Sequence, residues 1–296
     1  MKVVVVLGGG GTKALAHAGA WRAVRDIGAS VTHLVGTSMG AVLAAAFAAG
    51  SNADRVLATA SALTRRDVAA LDPWAFVKGV FADSLLEPAA LRRTIARLVP
   101  ATRFDELEIP LTITATDVDT GELVLFGAPV PGPDEWAGIL PVRHLGVSAP
   151  LQEALYASCA LPLYFPAAEL EGARLVDGGL RAVLPLAVAA RIPADVVLAV
   201  SVGPGFDEPA APVSRGLFPP ALIRAHGEAI RVMMAAETAR AIAAWPPGAP
   251  PLVLVRAVAE RESTFAMGQS DRYAAAGYEA TRRAWSAALD AAASER

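Results

Sequence analysis

Cysteine is almost missing from this chain: Cys159 is the only one in 296 residues. A lone thiol excludes an intrachain disulfide framework and gives no sign of an oxidising compartment. Aromatic residues make up only 6% and charged residues only 19%, with a formal net charge of −3. That balance leaves no electrostatic case for nucleic acid or for an anionic membrane surface. Membrane-spanning runs are missing too. No residue from Ile27 to Ala53 is charged, but His33, Ser38, Asn52 and four glycines interrupt the stretch. It reads as strand, turn and helix. At the N-terminus Lys2 is followed by Val3 to Leu7 and then glycines, too short for a signal-peptide core. The expected place is therefore cytoplasmic or peripheral to a membrane, with lipid met only at a surface.

What is abundant is apolar: 54% of residues, much of it alanine. The length approaches the limit of one hydrophobic core. The expectation is one domain over 1–296, with its motifs within about 3–203 and a helical C-terminal portion over about 215–296.

Val3 to Leu7 is a continuous, mostly β-branched run ending in glycine, the pattern of a strand buried on both faces of a parallel sheet. Gly8-Gly9-Gly10-Gly11-Thr12-Lys13 follows, then helical spacing from Ala14 to Ile27 with Gly28 as its stop. Val31 to Val35 is a second strand. The opening module is strand, helix, strand, with a glycine loop at the first turn. Bare glycine amides at a helix N-terminus form an anion cradle. A phosphate-binding P-loop would need glycine before Lys13, where Thr12 stands. A dinucleotide fingerprint would need an acid at the end of the second strand, which ends in Gly36-Thr37-Ser38 instead. An oxyanion hole serving Ser38 is the third reading.

Gly36-Thr37-Ser38-Met39-Gly40 fits G-x-S-x-G between an apolar strand and an apolar helix. Such a turn strains the serine backbone and pushes the hydroxyl outward, while the flanking glycines avoid clashes. The following helix aims its positive end at the same spot. The plain alternative is a small-residue turn that only packs.

Further on, Pro88 to Val99 predicts a helix, and Pro110 to Thr116 and Glu122 to Phe126 predict strands. Asp117 and Asp119 between them read as turn residues rather than metal ligands. Arg65 to Leu86 reads as core under a long loop or as an apolar lid, and Gly127 to Val147 as a long loop. Ala149 to Ala160 is helical. A hairpin turns at Gly172 and delivers Asp177 at a strand end, with Gly178-Gly179 letting the backbone turn away. Pro185 to Ala190 predicts a helix, Asp195 to Val202 a buried strand, and Leu252 to Val255 a short strand between alanine-rich helices over 220–245 and 271–293.

None of the four histidines stands on a loop after the acid, where a triad base belongs: His17 and His33 precede Ser38, His144 precedes Asp177, and His226 lies in a helical run. Asp177 is the better candidate for the base of Ser38, the plain alternative being an Asp-Gly turn that only reverses the chain. A carboxylate is a weak base near its usual value of about 4, and burial raises it.

At this point the chain resembles the patatin-like phospholipases. Three motifs match in order: Gly8 to Lys13 for the glycine loop, Gly36 to Gly40 for the serine turn, and Asp177-Gly178-Gly179. Softer likenesses lie in Thr12 to Gly19, Pro110 to Gly121, and Ala157 to Pro162 with Phe165-Pro166. The resemblance implies a three-layer α/β/α sandwich with a mostly parallel central sheet. It also implies hydrolysis of phospholipid or neutral acyl esters at a lipid or micelle surface, without metal or cofactor. It places a Ser38/Asp177 dyad, oxyanion amides from Gly9, Gly10 and Gly11, and supporting roles at Lys13, Gly36, Gly40, Gly178 and Gly179. The family usually has glycine where Ala14 stands. An acyltransferase using the same dyad and a catalytically silent nucleotide- or ligand-binding protein are the rival functions.

Overall fold

The computed structural model describes residues 1–73, 84–132, 141–203, 221–258 and 268–294. β1 (Lys2–Leu7) runs through the centre of a nine-stranded sheet. β2 (Ser30–Thr37) and β8 (Val196–Ser201) flank it in parallel, and β9 (Leu252–Arg256) extends the sheet in parallel beyond β8. On the other side β3 (Leu111–Asp117) pairs parallel with β2 and antiparallel with β4 (Leu123–Gly127), and β5 (Val142–Gly146) closes that edge.

The alternation of β1 explains the layers. Val3, Val5 and Leu7 belong to one buried cluster and Val4 and Val6 to another, so both sheet faces are covered. The first face carries α1 (Ala16–Ile27), α2 (Met39–Ala48), α3 (Ala53–Ser61), a turn α4 (Arg65–Val68), α5 (Pro88–Leu98), α6 (Leu151–Cys159) and a long C-terminal helix whose Tyr273 and Trp285 join the same cluster. Trp21 of α1 and Phe47 of α2 stack there at 4.9 Å. The second face is covered by the short helices α7 (Gly179–Ala182) and α8 (Leu186–Ala189) and by the C-terminal end of α9 (Ala221–Ala243). The long helix is α10 (Ser270–Ser294). This is an α/β sandwich of the expected kind. Among the described residues no helix is long and apolar enough to cross a membrane.

Two departures stand out. The stretch read as a long loop over 127–147 contains β5, whose Val142 to Gly146 take their strand form from pairing with β4. The expected core or lid over Arg65 to Leu86 lies partly outside the described residues. Its ends are described, and Leu71 and Leu86 form an isolated antiparallel bridge.

The remaining strands place the site. β6 (Ala168–Leu170) and β7 (Ala173–Asp177) form the expected hairpin, with Glu171 and Gly172 both at positive φ in its turn. β7 pairs antiparallel with β3, Asp177 opposite Ala115, whereas β2 pairs with β3 only as far as Thr37 opposite Thr114. The ends of β2 and β7 therefore meet head to head along one edge of β3. The residue that follows β2 is Ser38, and the residue that ends β7 is Asp177.

Candidate active site

Ser38 stands between β2 and α2 with φ 54° and ψ −134°. A positive φ is costly for a residue with a Cβ and persists only where its surroundings hold it. Here the Ser38 amide donates to Ser158 Oγ at 2.8 Å. The preceding Thr37 Oγ1 donates to the Ala182 carbonyl at 2.8 Å and lies 2.7 Å from Thr114 Oγ1. Gly40 lets α2 start against β1: a Cβ there would collide with the Leu7 and Gly8 carbonyl oxygens.

The Ser38 hydroxyl donates to Asp177 Oδ2 at 2.7 Å. The other carboxylate oxygen, Oδ1, accepts the Gly179 amide at 2.7 Å. Asp177 is 4% exposed. Burial pushes its carboxyl up to about 6, and the bonds from Ser38 and Gly179 hold back part of that rise. A base in this range is ionised at neutral pH and still accepts a proton readily. Cys159 is buried beside the pair; burial and the Asp177 charge hold its thiol well above the usual range, so it stays a protonated small apolar group.

The glycine loop is anchored from several sides. The Gly8 amide donates to the Val200 carbonyl at 3.1 Å, and His17 Nε2 lies 2.8 Å from the Gly8 carbonyl. Buried His17 is lowered to about 4, so the ring is neutral and Nε2–H is the donor. Gly9 departs from expectation. Its amide donates to the Val183 carbonyl at 2.9 Å, so it is spent within the protein and does not offer an oxyanion contact. Gly10 and Gly11 open the 3₁₀ turn Gly11–Leu15, and their amides meet no backbone acceptor among the described residues. Gly10 is sterically required: a Cβ would stand 2.7 Å from Val202 Cγ2. Lys13 is 4% exposed and lines the same space.

That space is a cavity of about 700 Å³. Its polar lining includes Gly9 to Lys13, Ser38 and Asp177 together with His226, Arg231, Asp271 and Arg272, while Leu43, Leu63, Leu91, Leu98, Phe165 and Met234 contribute apolar walls. The residues missed by sequence reasoning are Ser158, which fixes the Ser38 amide, and Val183, which takes up Gly9. A hydroxyl inside an apolar helix was the available signal for Ser158; nothing local marks Val183. Of the histidines, His33 lies 2.8 Å from Thr112 Oγ1 and burial lowers it to about 4. His144 lies in β5, and His226 is the one histidine that lines the cavity.

Fold and site together define a class: an α/β sandwich that opens an apolar cavity over a serine hydrogen-bonded to a buried aspartate. The family model of the patatin-like phospholipases matches residues 5–190, and the chain belongs to that family. An uncharacterized NTE family protein of Mycobacterium tuberculosis is 31% identical over 202 residues, 68% of this chain and 49% of that protein. The human patatin-like phospholipase domain-containing protein 6 is 26% identical over 203 residues, 68% of this chain and 13% of that protein. The chain thus spans about half the length, or less, of these relatives. Among solved structures, VipD from Legionella pneumophila aligns with 97% of this chain and 66% of its own, at 12% identity and a TM-score of 0.43.

Proposed function

We propose that this chain is a serine lipid acyl hydrolase in which Ser38 is the nucleophile and Asp177 the general base. The observation that carries the reading is the 2.7 Å bond from the Ser38 hydroxyl to a carboxylate that burial has made more basic. As Ser38 Oγ attacks an ester carbonyl, its proton passes to Asp177 Oδ2. The carbonyl oxygen takes the negative charge, which the Gly10 and Gly11 amides and the N-terminus of α2 stabilise. The tetrahedral intermediate collapses, the alcohol leaves with the proton from Asp177, and acyl-Ser38 remains. Water then gives a proton to Asp177 and attacks the acyl carbon, and the carboxylic acid departs as Ser38 recovers its proton. The apolar walls of the cavity suit an acyl chain, and its volume falls in the range of ligand pockets, about 300–1,000 Å³.

A fluorophosphonate probe tests the nucleophile. Mass is expected to be added at Ser38 in the wild type and none in Ser38→Ala; absence of labelling in lipid, detergent or buffer refutes the hydrolase and favours a binding protein. Incubation with a mixed lipid extract, followed by mass spectrometry of fatty acids and lysolipids, identifies the ester cleaved.

A further inference from the structure

The Ser38 amide falls between two regular patterns. β2 pairs with β3 only as far as Thr37 opposite Thr114, and Ser38 is the cap residue of α2. A cap amide has no acceptor within its own helix, and the ladder to β3 has already ended. The acceptor comes from α6 instead. Ser158, in the last turn of that helix, takes the Ser38 N–H on its Oγ at 2.8 Å. Ser158 is fully buried.

The same end of α6 holds the acid. The Asp177 amide donates to the Ala160 carbonyl at 3.0 Å, and the Gly178 amide donates to the Ser158 carbonyl at 3.4 Å. Ser158 therefore reaches the nucleophile through its side chain and the segment of the acid through its main chain. There is little slack around Ser38. A Cβ on Gly9 would stand 3.3 Å from Ser38 Cβ, so the glycine loop passes close over the nucleophile. The Ser38 backbone is at φ 54°, a conformation that lasts only while its surroundings fix it. Its N–H shares a rigid peptide plane with the Thr37 carbonyl. Holding the N–H holds that plane, and the plane helps to set where Cα directs Oγ. Without the Ser158 hydroxyl the N–H loses its acceptor, and the peptide is free to turn towards another.

We infer that Ser158 is a positioning residue: its hydroxyl holds the strained Ser38 turn so that the nucleophile faces Asp177 and the glycine amides at once. This rests on the reading of Ser38, Asp177 and the glycine loop as a hydrolytic site. Turning the nucleophile by a fraction of an ångström leaves the apolar walls that bind an acyl chain in place, and it raises the barrier to attack.

The test uses the full chain with a soluble p-nitrophenyl ester, the rate of fluorophosphonate labelling at Ser38, and thermal denaturation to confirm folding. In Ser158→Ala, kcat is expected to fall about 10- to 100-fold with KM nearly unchanged, and labelling to slow in proportion. A role confined to stability would lower Tm and leave the kcat of the folded protein intact. Ser158→Thr and Ser158→Val add the same bulk, but only threonine keeps an acceptor oxygen, so its kcat is expected to exceed that of the valine variant by about tenfold or more. If Ser158→Ala does not fold, the threonine and valine pair decides by that criterion. A wild-type kcat in the folded alanine variant, a change in KM alone, or threonine and valine variants of equal kcat overturns the inference and leaves the hydrolase reading standing. A wild type that neither hydrolyses the ester nor labels at Ser38 overturns both together.

Discussion

Replacing Asp177 with asparagine is expected to stabilise the fold while removing the activity. The carboxyl sits at about 6 because it is buried, against about 4 in an unfolded chain. Two units correspond to about 3 kcal/mol of extra cost for ionising it in the folded state. The sign follows from proton binding. Between about pH 4 and pH 6 the native state holds a proton that the unfolded chain has released, so stability falls as pH rises through that window. Above it the whole penalty is present; below it both states are protonated and the penalty vanishes. The asparagine side chain in Asp177→Asn keeps the shape and an acceptor for the Gly179 amide but carries no charge. At pH 7.5 the variant should therefore gain up to about 3 kcal/mol, a rise in Tm on the order of 5 °C, and the gap should close towards pH 4. Ester hydrolysis should fall by about 10²- to 10⁴-fold. Thermal denaturation of both proteins from pH 4 to 8, paired with p-nitrophenyl ester hydrolysis, reads both effects. His17 and His33 titrate in both proteins and cancel in the difference. A variant no more stable than wild type at pH 7.5, with a gap that does not change with pH, refutes the desolvated carboxylate. Near wild-type hydrolysis refutes its role as base.

Three further outcomes are expected. The kcat/KM of the wild type should rise about tenfold per pH unit below about pH 6 and level off above it, because Asp177 sits at about 6; a profile that is flat from pH 5 to 7 contradicts the dyad. Gly10→Ala should fold but lose at least about tenfold in kcat, since its Cβ would stand 2.7 Å from Val202 Cγ2 and 2.8 Å from the Val202 oxygen; unchanged kcat would show that the loop does not serve the reaction. Burial puts His33 at about 4, so the unfolded chain takes up a proton that the native state refuses, and stability is lost as pH falls from about 6.5 towards 4. His33→Gln should flatten that acid limb in pH-dependent melting, and an identical limb would assign the acid loss to other groups.

Much of the architecture was legible in the sequence because local patterns and tertiary context agree. Val3 to Leu7 is apolar at every position, and the strand is covered on both faces. Gly172 marks a hairpin, and the backbone there is at positive φ. β5 was not legible: Val142-Arg143-His144-Leu145-Gly146 has neither clean alternation nor a continuous apolar run, and it becomes a strand only against β4. Gly9 illustrates the same limit within the site. Its neighbours in sequence give no sign that its amide is taken by a carbonyl from residue 183.

Residue order alone determined that a serine would sit on a sharp glycine-flanked turn before an apolar helix, and that an aspartate would end a strand ahead of two glycines. Both follow from steric demands that act within a few residues. Only the tertiary structure decided that they meet. β2 stops at Thr114 of β3 and β7 begins its pairing at Ala115, so two chain segments more than a hundred residues apart end against each other. Strand register is a cooperative property of the whole sheet, and no local stretch encodes it.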